Sequence, residues 1–201
     1  INLAACGDQI GNGYSGRYDD FVEASAKPGF NMTSYLGVDA IEFDIWLSKE
    51  QMPVIIHDGN CKRTCGVDAH VNDMTLAQIK ALSAHYAEKF GDAYAGMNIT
   101  IPTLEELLKL RQSKRPDLLL GVEIKEYTEN CVDKTVALLK EYGVFDKCFF
   151  YAFDANIIRY LYTKYDARTM GYPDFQMRNY QSDSYSYYKE LGLDLKYVRS
   201  E

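Results

Sequence analysis

Residues 40–60, AIEFDIWLSKEQMPVIIHDGN, set two carboxylates on alternate positions of an apolar, β-prone run and close a second such run with His57 and Asp58. Side chains two apart in a strand leave on the same face. Glu42 and Asp44 therefore emerge together from a segment that must also pack a core. That combination constrains the chain more than anything else in it, because buried carboxylates are kept only where something offsets their charge.

The rest of the sequence says what kind of sheet holds that run. Apolar, β-prone stretches occur at 2–6, 38–47, 53–57, 117–125, 147–153, 167–173 and 195–200, and segments of helical period separate most of them. The helical segments lie at 75–90, 101–114, 131–143, 154–165 and 182–192. Thr75 is a candidate N-cap, and Thr103 with Glu106 forms a capping box. Gly143 ends the third helix. Alternating βα units with strands this apolar imply a parallel sheet covered by helices, not an open antiparallel one.

Neither repeats nor a Pro/Gly-rich linker interrupts the 201 residues, so 1–201 reads as a single domain. Seven strand candidates, the last with no helix after it, suggest a (β/α)8 TIM-type barrel, a fold of usually about 250 residues, that is incomplete at the C-terminus. A doubly wound open sheet is the competitor. It calls for a phosphate loop after the first strand, and CGDQIGNG at 6–13 has neither the dinucleotide nor the P-loop spacing.

Charge narrows the function further. A net charge of -7 without any Lys/Arg block argues against a nucleic-acid surface. No apolar stretch approaches the roughly 18 residues of a membrane span. Five cysteines, of which Cys61 and Cys65 read equally well as a bridge or as reduced thiols, and Asn-x-Thr sequons at Asn31 and Asn98 leave the compartment undecided.

In a parallel barrel the chemistry sits at the C-terminal ends of the strands. Glu42 and Asp44 end one strand, His57 closes the next, and Glu123 lies near the end of the one after, two residues before Lys125. Three inward carboxylates repel unless a cation neutralises them. An all-oxygen set suits Mg²⁺ or Ca²⁺. The alternative is a rim of salt-bridged or solvated carboxylates.

GVDAIEFDIWLSKEQMPVIIHD at 37–58 resembles the signature of the glycerophosphodiester phosphodiesterase family. The likeness continues through KRT at 62–64, VNDMTLAQI at 71–79, IPTLEELL at 101–108, GVEIK at 121–125 and FYAFD at 150–154. It implies a TIM barrel, a divalent cation held by Glu42, Asp44 and Glu123, and hydrolysis of a glycerol phosphodiester, a small-molecule substrate; no protein partner is implied. His57 matches one of the family's two catalytic histidines, and Lys125 its active-site lysine.

The chain departs from the pattern at its first strand. Aligned on Gly7, Ala5 stands where the family has the other acid/base histidine, and Cys6 where it has a phosphate-binding arginine. Each half of an acid/base pair contributes about 10²–10⁴-fold, so the resemblance implies an enzyme with impaired turnover. A catalytically silent barrel that binds a metal and a phosphate ester is the alternative. A scaffold with a Tyr-rich tail fits less well, since five site residues are retained. Asp8 is a remote substitute base and reads more simply as a turn former.

Overall fold

A computed structural model of the chain describes residues 3–5, 39–170 and 177–179. The strands are β1 (Leu3–Ala5), β2 (Ala40–Leu47), β3 (Pro53–Ile55), β4 (Leu119–Ile124), β5 (Cys148–Tyr151) and β6 (Thr169–Met170). The helices are α1 (Lys62–Cys65), α2 (Leu76–Lys80), α3 (Ala87–Phe90), α4 (Leu104–Lys114), α5 (Glu129–Glu141) and α6 (Ala155–Tyr165).

Five strands run parallel in the order β1-β2-β4-β5-β6, the arrangement of a β/α barrel wall. Their side chains divide by parity. Ile41, Phe43, Ile45 and Leu47 of β2, Leu120, Val122 and Ile124 of β4, and Cys148 and Phe150 of β5 bury themselves with Leu104, Leu108, Val132, Val136, Ile158 and Leu161 of the helices. The intervening positions carry Glu42, Asp44, Gly121, Glu123, Phe149 and Tyr151 on the opposite face. Phe43 and Phe150 are fully buried, so the helix-facing side alone holds a dense apolar core, and the other side is released for polar chemistry.

One expected barrel strand is something else. The run at 53–57 is expected in the parallel wall, but Pro53–Ile55 pairs antiparallel with the far end of β2, Ile45 opposite Ile55 and Leu47 opposite Pro53. Residues 48–52 form the hairpin loop, with Gln51 at φ 66° and Ser48 N–H donating to Met52 O. The physical reason is reach: a parallel return needs a crossover of a dozen residues or more, whereas five suffice for a hairpin. His57 thus follows a hairpin arm and does not end a wall strand.

Beyond the hairpin, residues 56–101 build a small core of their own around Val54, Ile56, Cys61, Val71, Ile79 and Ile101. The single helix expected over 75–90 is two short ones here. Thr75 caps α2 in a capping box with Gln78, but Ala84 N–H donates to Ile99 O and Tyr86 N–H to Thr64 O, so tertiary bonds replace helical ones. Cys61 and Cys65 are free thiols one turn apart, with Cys61 fully buried.

α4, α5 and α6 match the sequence reading, whereas α1 falls where no helix is expected. Thr103 and Glu106 close a capping box on α4, and Thr128 and Asp154 cap α5 and α6. The helix expected at 182–192, the strand at 195–200, Cys6 and Asp8 lie outside the described residues.

Candidate active site

Two strands supply the centre. In the parallel register of β2 and β4, Asp44 stands opposite Glu123 and Glu42 opposite Gly121. One ligand oxygen from each of Glu42, Asp44 and Glu123 lies within 4.8 Å of the other two. Among the described residues no other group of three His, Cys, Asp or Glu side chains could share an ion. Gly121 is part of the design, because a Cβ there would stand 2.7 Å from the Phe149 ring. The absent side chain lets Phe149 cover the floor beside Glu42.

Burial makes the cluster costly without a counter-charge. Asp44 and Glu123 are only 1% and 4% exposed, and burial raises the affinity of both carboxyls for protons. Glu42 is pushed up to about 7, by burial first and then by the Asp44 charge, against a hydrogen bond from the Tyr151 hydroxyl. Lys125 brings a positive charge into the cluster: its Nζ lies 2.7 Å from Glu123 Oε1 and 3.4 Å from Asp44 Oδ1. Burial works against its charge, but the Glu123 and Asp44 carboxylates outweigh that and raise its pKa.

One ammonium cannot balance three carboxylates, and Asp44 Oδ2 is buried without a hydrogen-bond donor. An orphaned buried carboxylate oxygen aimed into an all-oxygen cluster is what a hard divalent cation requires. The residues present therefore fit such an ion.

Secondary contacts hold the ligands in place. Glu126 Oε2 accepts the Leu47 N–H at 3.0 Å, and Lys125 N–H donates to Ile45 O at 3.1 Å, so the segment after β4 is tied to the end of β2. Ile56 N–H donates to Asp44 O, and Trp46 Nε1–H donates to His57 O at 3.1 Å, which fixes the backbone that bears His57. The His57 ring is close enough for its charge to favour the ionised forms of Asp44 and Glu123. Its Nδ1 is 2.7 Å from Asp58 Oδ1.

Glu42, Asp44, Glu123, Lys125 and His57, five positions singled out in the sequence, are thus brought to one place. Sequence reasoning missed three contributors. Tyr151 shares the inward parity of Phe149, a signal that was legible in KCFFYAF. Glu126 and Trp46 act through backbone contacts that no pattern announces. Of the two first-strand positions Ala5 and Cys6, Ala5 is described, and its backbone lies beside Glu42 in the parallel register of β1 and β2.

Known proteins resemble this chain in sequence and in fold. The sequence profile of the glycerophosphoryl diester phosphodiesterase family matches residues 12–188. A glycerophosphodiester phosphodiesterase of Caldanaerobacter subterraneus subsp. tengcongensis is 35% identical over 141 residues, covering 69% of this chain and 56% of that protein. The chain spans about half the length of the curated relatives it matches.

Among solved structures, an Oleispira antarctica phosphodiesterase in complex with the product sn-glycerol-3-phosphate superposes with a TM-score of 0.71 at 21% identity, covering 95% of this chain and 71% of that one. A glycerophosphodiester phosphodiesterase from Parabacteroides distasonis gives 0.65 at 17% identity, covering 95% and 69%. These likenesses establish the TIM-type barrel. With the profile spanning nearly the whole sequence, the chain belongs to the glycerophosphoryl diester phosphodiesterase family.

Proposed function

We propose that this chain hydrolyses a glycerophosphodiester to glycerol phosphate and an alcohol, with Glu42, Asp44 and Glu123 holding a divalent cation, Mg²⁺ or Ca²⁺. The observation that carries the reading is the convergence of those three carboxylates within 4.8 Å in a member of this family. A bound divalent cation supplies Lewis-acid stabilisation of the charge that builds on the phosphoryl oxygens.

The chain's own residues do the rest. Lys125, fixed by Glu123 and Asp44, presents a buried positive charge to a phosphate oxygen, worth more there than in water. His57 keeps its Nδ1 on Asp58, which leaves Nε2 to exchange a proton with the attacking or the leaving oxygen. Tyr151 favours the ionised form of Glu42, against burial, through the hydrogen bond it donates.

Release of glycerol 3-phosphate from glycerophosphocholine, with Mg²⁺ or Ca²⁺ and again with EDTA, tests the proposal. Cation-dependent product supports it, and no product with the cation bound refutes it. The backbone of Ala5 lies beside Glu42; set against the histidine that the resemblance implies there, it favours a second reading, a barrel that binds cation and phosphate ester without turnover. Calorimetric binding of glycerol 3-phosphate without hydrolysis of the diester identifies that case.

A further inference from the structure

His57 is held by more than its neighbour. Asp58 is engaged on both oxygens: Oδ1 lies 2.7 Å from His57 Nδ1, and Oδ2 accepts from Arg63 Nε at 2.6 Å. An ionised carboxylate can only accept, so the proton of this contact sits on Nδ1 and the ring's Nε2 faces away from Asp58. Arg63 is braced in turn. Its guanidinium lies 5.4 Å from the centre of the Tyr86 ring, a cation–π distance.

Tyr86 adopts φ 51°, ψ 58° at the start of α3. This left-handed conformation is unfavourable for an aromatic residue and persists only where the surroundings impose it. Here the Tyr86 N–H donates to Thr64 O, the residue after Arg63, so α1 and α3 grip each other at the point where the ring meets the guanidinium.

The adjacent pair shows what an ordinary surface contact looks like in the same loop. Lys62 Nζ lies 3.2 Å from Asp68 Oδ2, with both side chains about 70% exposed. Arg63 and Asp58 are half as exposed, at 36% and 32%, and their contact is shorter and continues into a histidine. Solvent screening weakens a pair like Lys62–Asp68 to near nothing. It does not explain a strained tyrosine set over the arginine.

We propose that Arg63, clamped by Tyr86, is a positioning residue that acts through Asp58 to fix the ring orientation and tautomer of His57. The proposal rests on the role given to His57 under the proposed function. It adds that the segment 61–90, which supplies none of the three carboxylates, controls proton transfer through Arg63 and Tyr86.

The test uses the full chain, with Arg63→Gln and Arg63→Lys, and two independent readouts. The first is nitrogen NMR of the imidazoles in alkaline buffer. The chain has three histidines, so His70→Gln and His85→Gln assign the spectrum. The parent should show His57 as the Nδ1–H tautomer. Arg63→Gln should shift it toward a mixture while His70 and His85 stay put, and Arg63→Lys should shift it less.

The second readout is kinetic, on glycerophosphocholine. Arg63→Gln should lower kcat about 10- to 100-fold, the scale on which outer-shell partners act, with KM and cation affinity unchanged, and Arg63→Lys should recover part of the loss. An unchanged His57 tautomer in Arg63→Gln overturns the proposal, as does a loss shared by KM and cation affinity. Failure of the parent to hydrolyse the diester would refute the proposed function alone, since the NMR arm still decides whether Arg63 positions His57.

Discussion

Asp44 of β2 and Glu123 of β4 are register partners in a parallel pair, both almost fully buried, with Lys125 Nζ between them at 3.4 Å and 2.7 Å. Like charges on directly opposed positions destabilise a sheet. The wall keeps this pair, together with Glu42, because the site needs a concentrated negative charge that folding alone does not reward.

Removing that charge should therefore stabilise the cation-free protein. Glu42→Gln with Asp44→Asn is expected to raise Tm without added metal by a few degrees, about 2–4 °C for each kcal/mol in a chain of this size. The same variant should lose the upward thermal shift that Mg²⁺ or Ca²⁺ gives the parent. Differential scanning fluorimetry with and without the cation reads both effects, and a retained shift would show that these residues are not the ligands.

The pH dependence has a definite sign. Glu42 is raised from 4.5 to about 7, and Asp44 and Glu123 are raised as well, all chiefly by burial. The folded, cation-free chain then holds protons on these groups that the unfolded chain has released, so their contribution to stability is fully present below about 4.5 and is lost as pH rises toward and through 7. Cation binding must expel those protons, so affinity should weaken as pH drops below 7, with proton uptake or release measurable by calorimetry in buffers of different ionisation enthalpy.

Tyr151→Phe isolates a single hydrogen bond. It removes the donor that favours ionised Glu42, leaving a ring that still stacks with Phe149 at 6.3 Å. Cation affinity at neutral pH should fall about tenfold or more, by the roughly 1.5–3 kcal/mol that a hydrogen bond to a charged group contributes, while Tm in EDTA stays near that of the parent. Isothermal titration across pH checks it, and the loss should shrink in alkaline buffer.

Restoring the first strand tests how far the family's chemistry transfers. Ala5 lies beside Glu42 in the β1–β2 register, so, if the resemblance to the family's first-strand motif holds, Ala5→His with Cys6→Arg should supply an acid/base group and a phosphate ligand. The expected result is a gain in kcat of about 10²-fold or more at constant cation affinity. No gain, with the cation still bound, would favour the binding reading. His57→Ala should remove the residual activity of the parent.

Much of this was legible from residue order, for physical reasons. Glu42 and Asp44 share a face because strand periodicity is 2, and the N-cap at Thr75 and the capping box at Thr103 are legible in residue order. The direction of β3 was not read, because an apolar run such as PVIIH looks alike in either direction; the five-residue gap before it was the overlooked signal. The break in the helix over 75–90 depends on Ala84 and Tyr86 bonding to distant carbonyls, which no local propensity contains. The Arg63 contact to Asp58 was hidden for the same reason, since only the folded loop brings KRT back onto His57.

The central claim is that two parallel strands assemble one cation site, and diffraction can test it directly. Crystals of the chain soaked in Mn²⁺, a hard divalent ion with an anomalous signal, should show one strong anomalous peak about 2.0–2.6 Å from carboxylate oxygens of Glu42, Asp44 and Glu123. A peak elsewhere, or none at saturating Mn²⁺, would contradict the account.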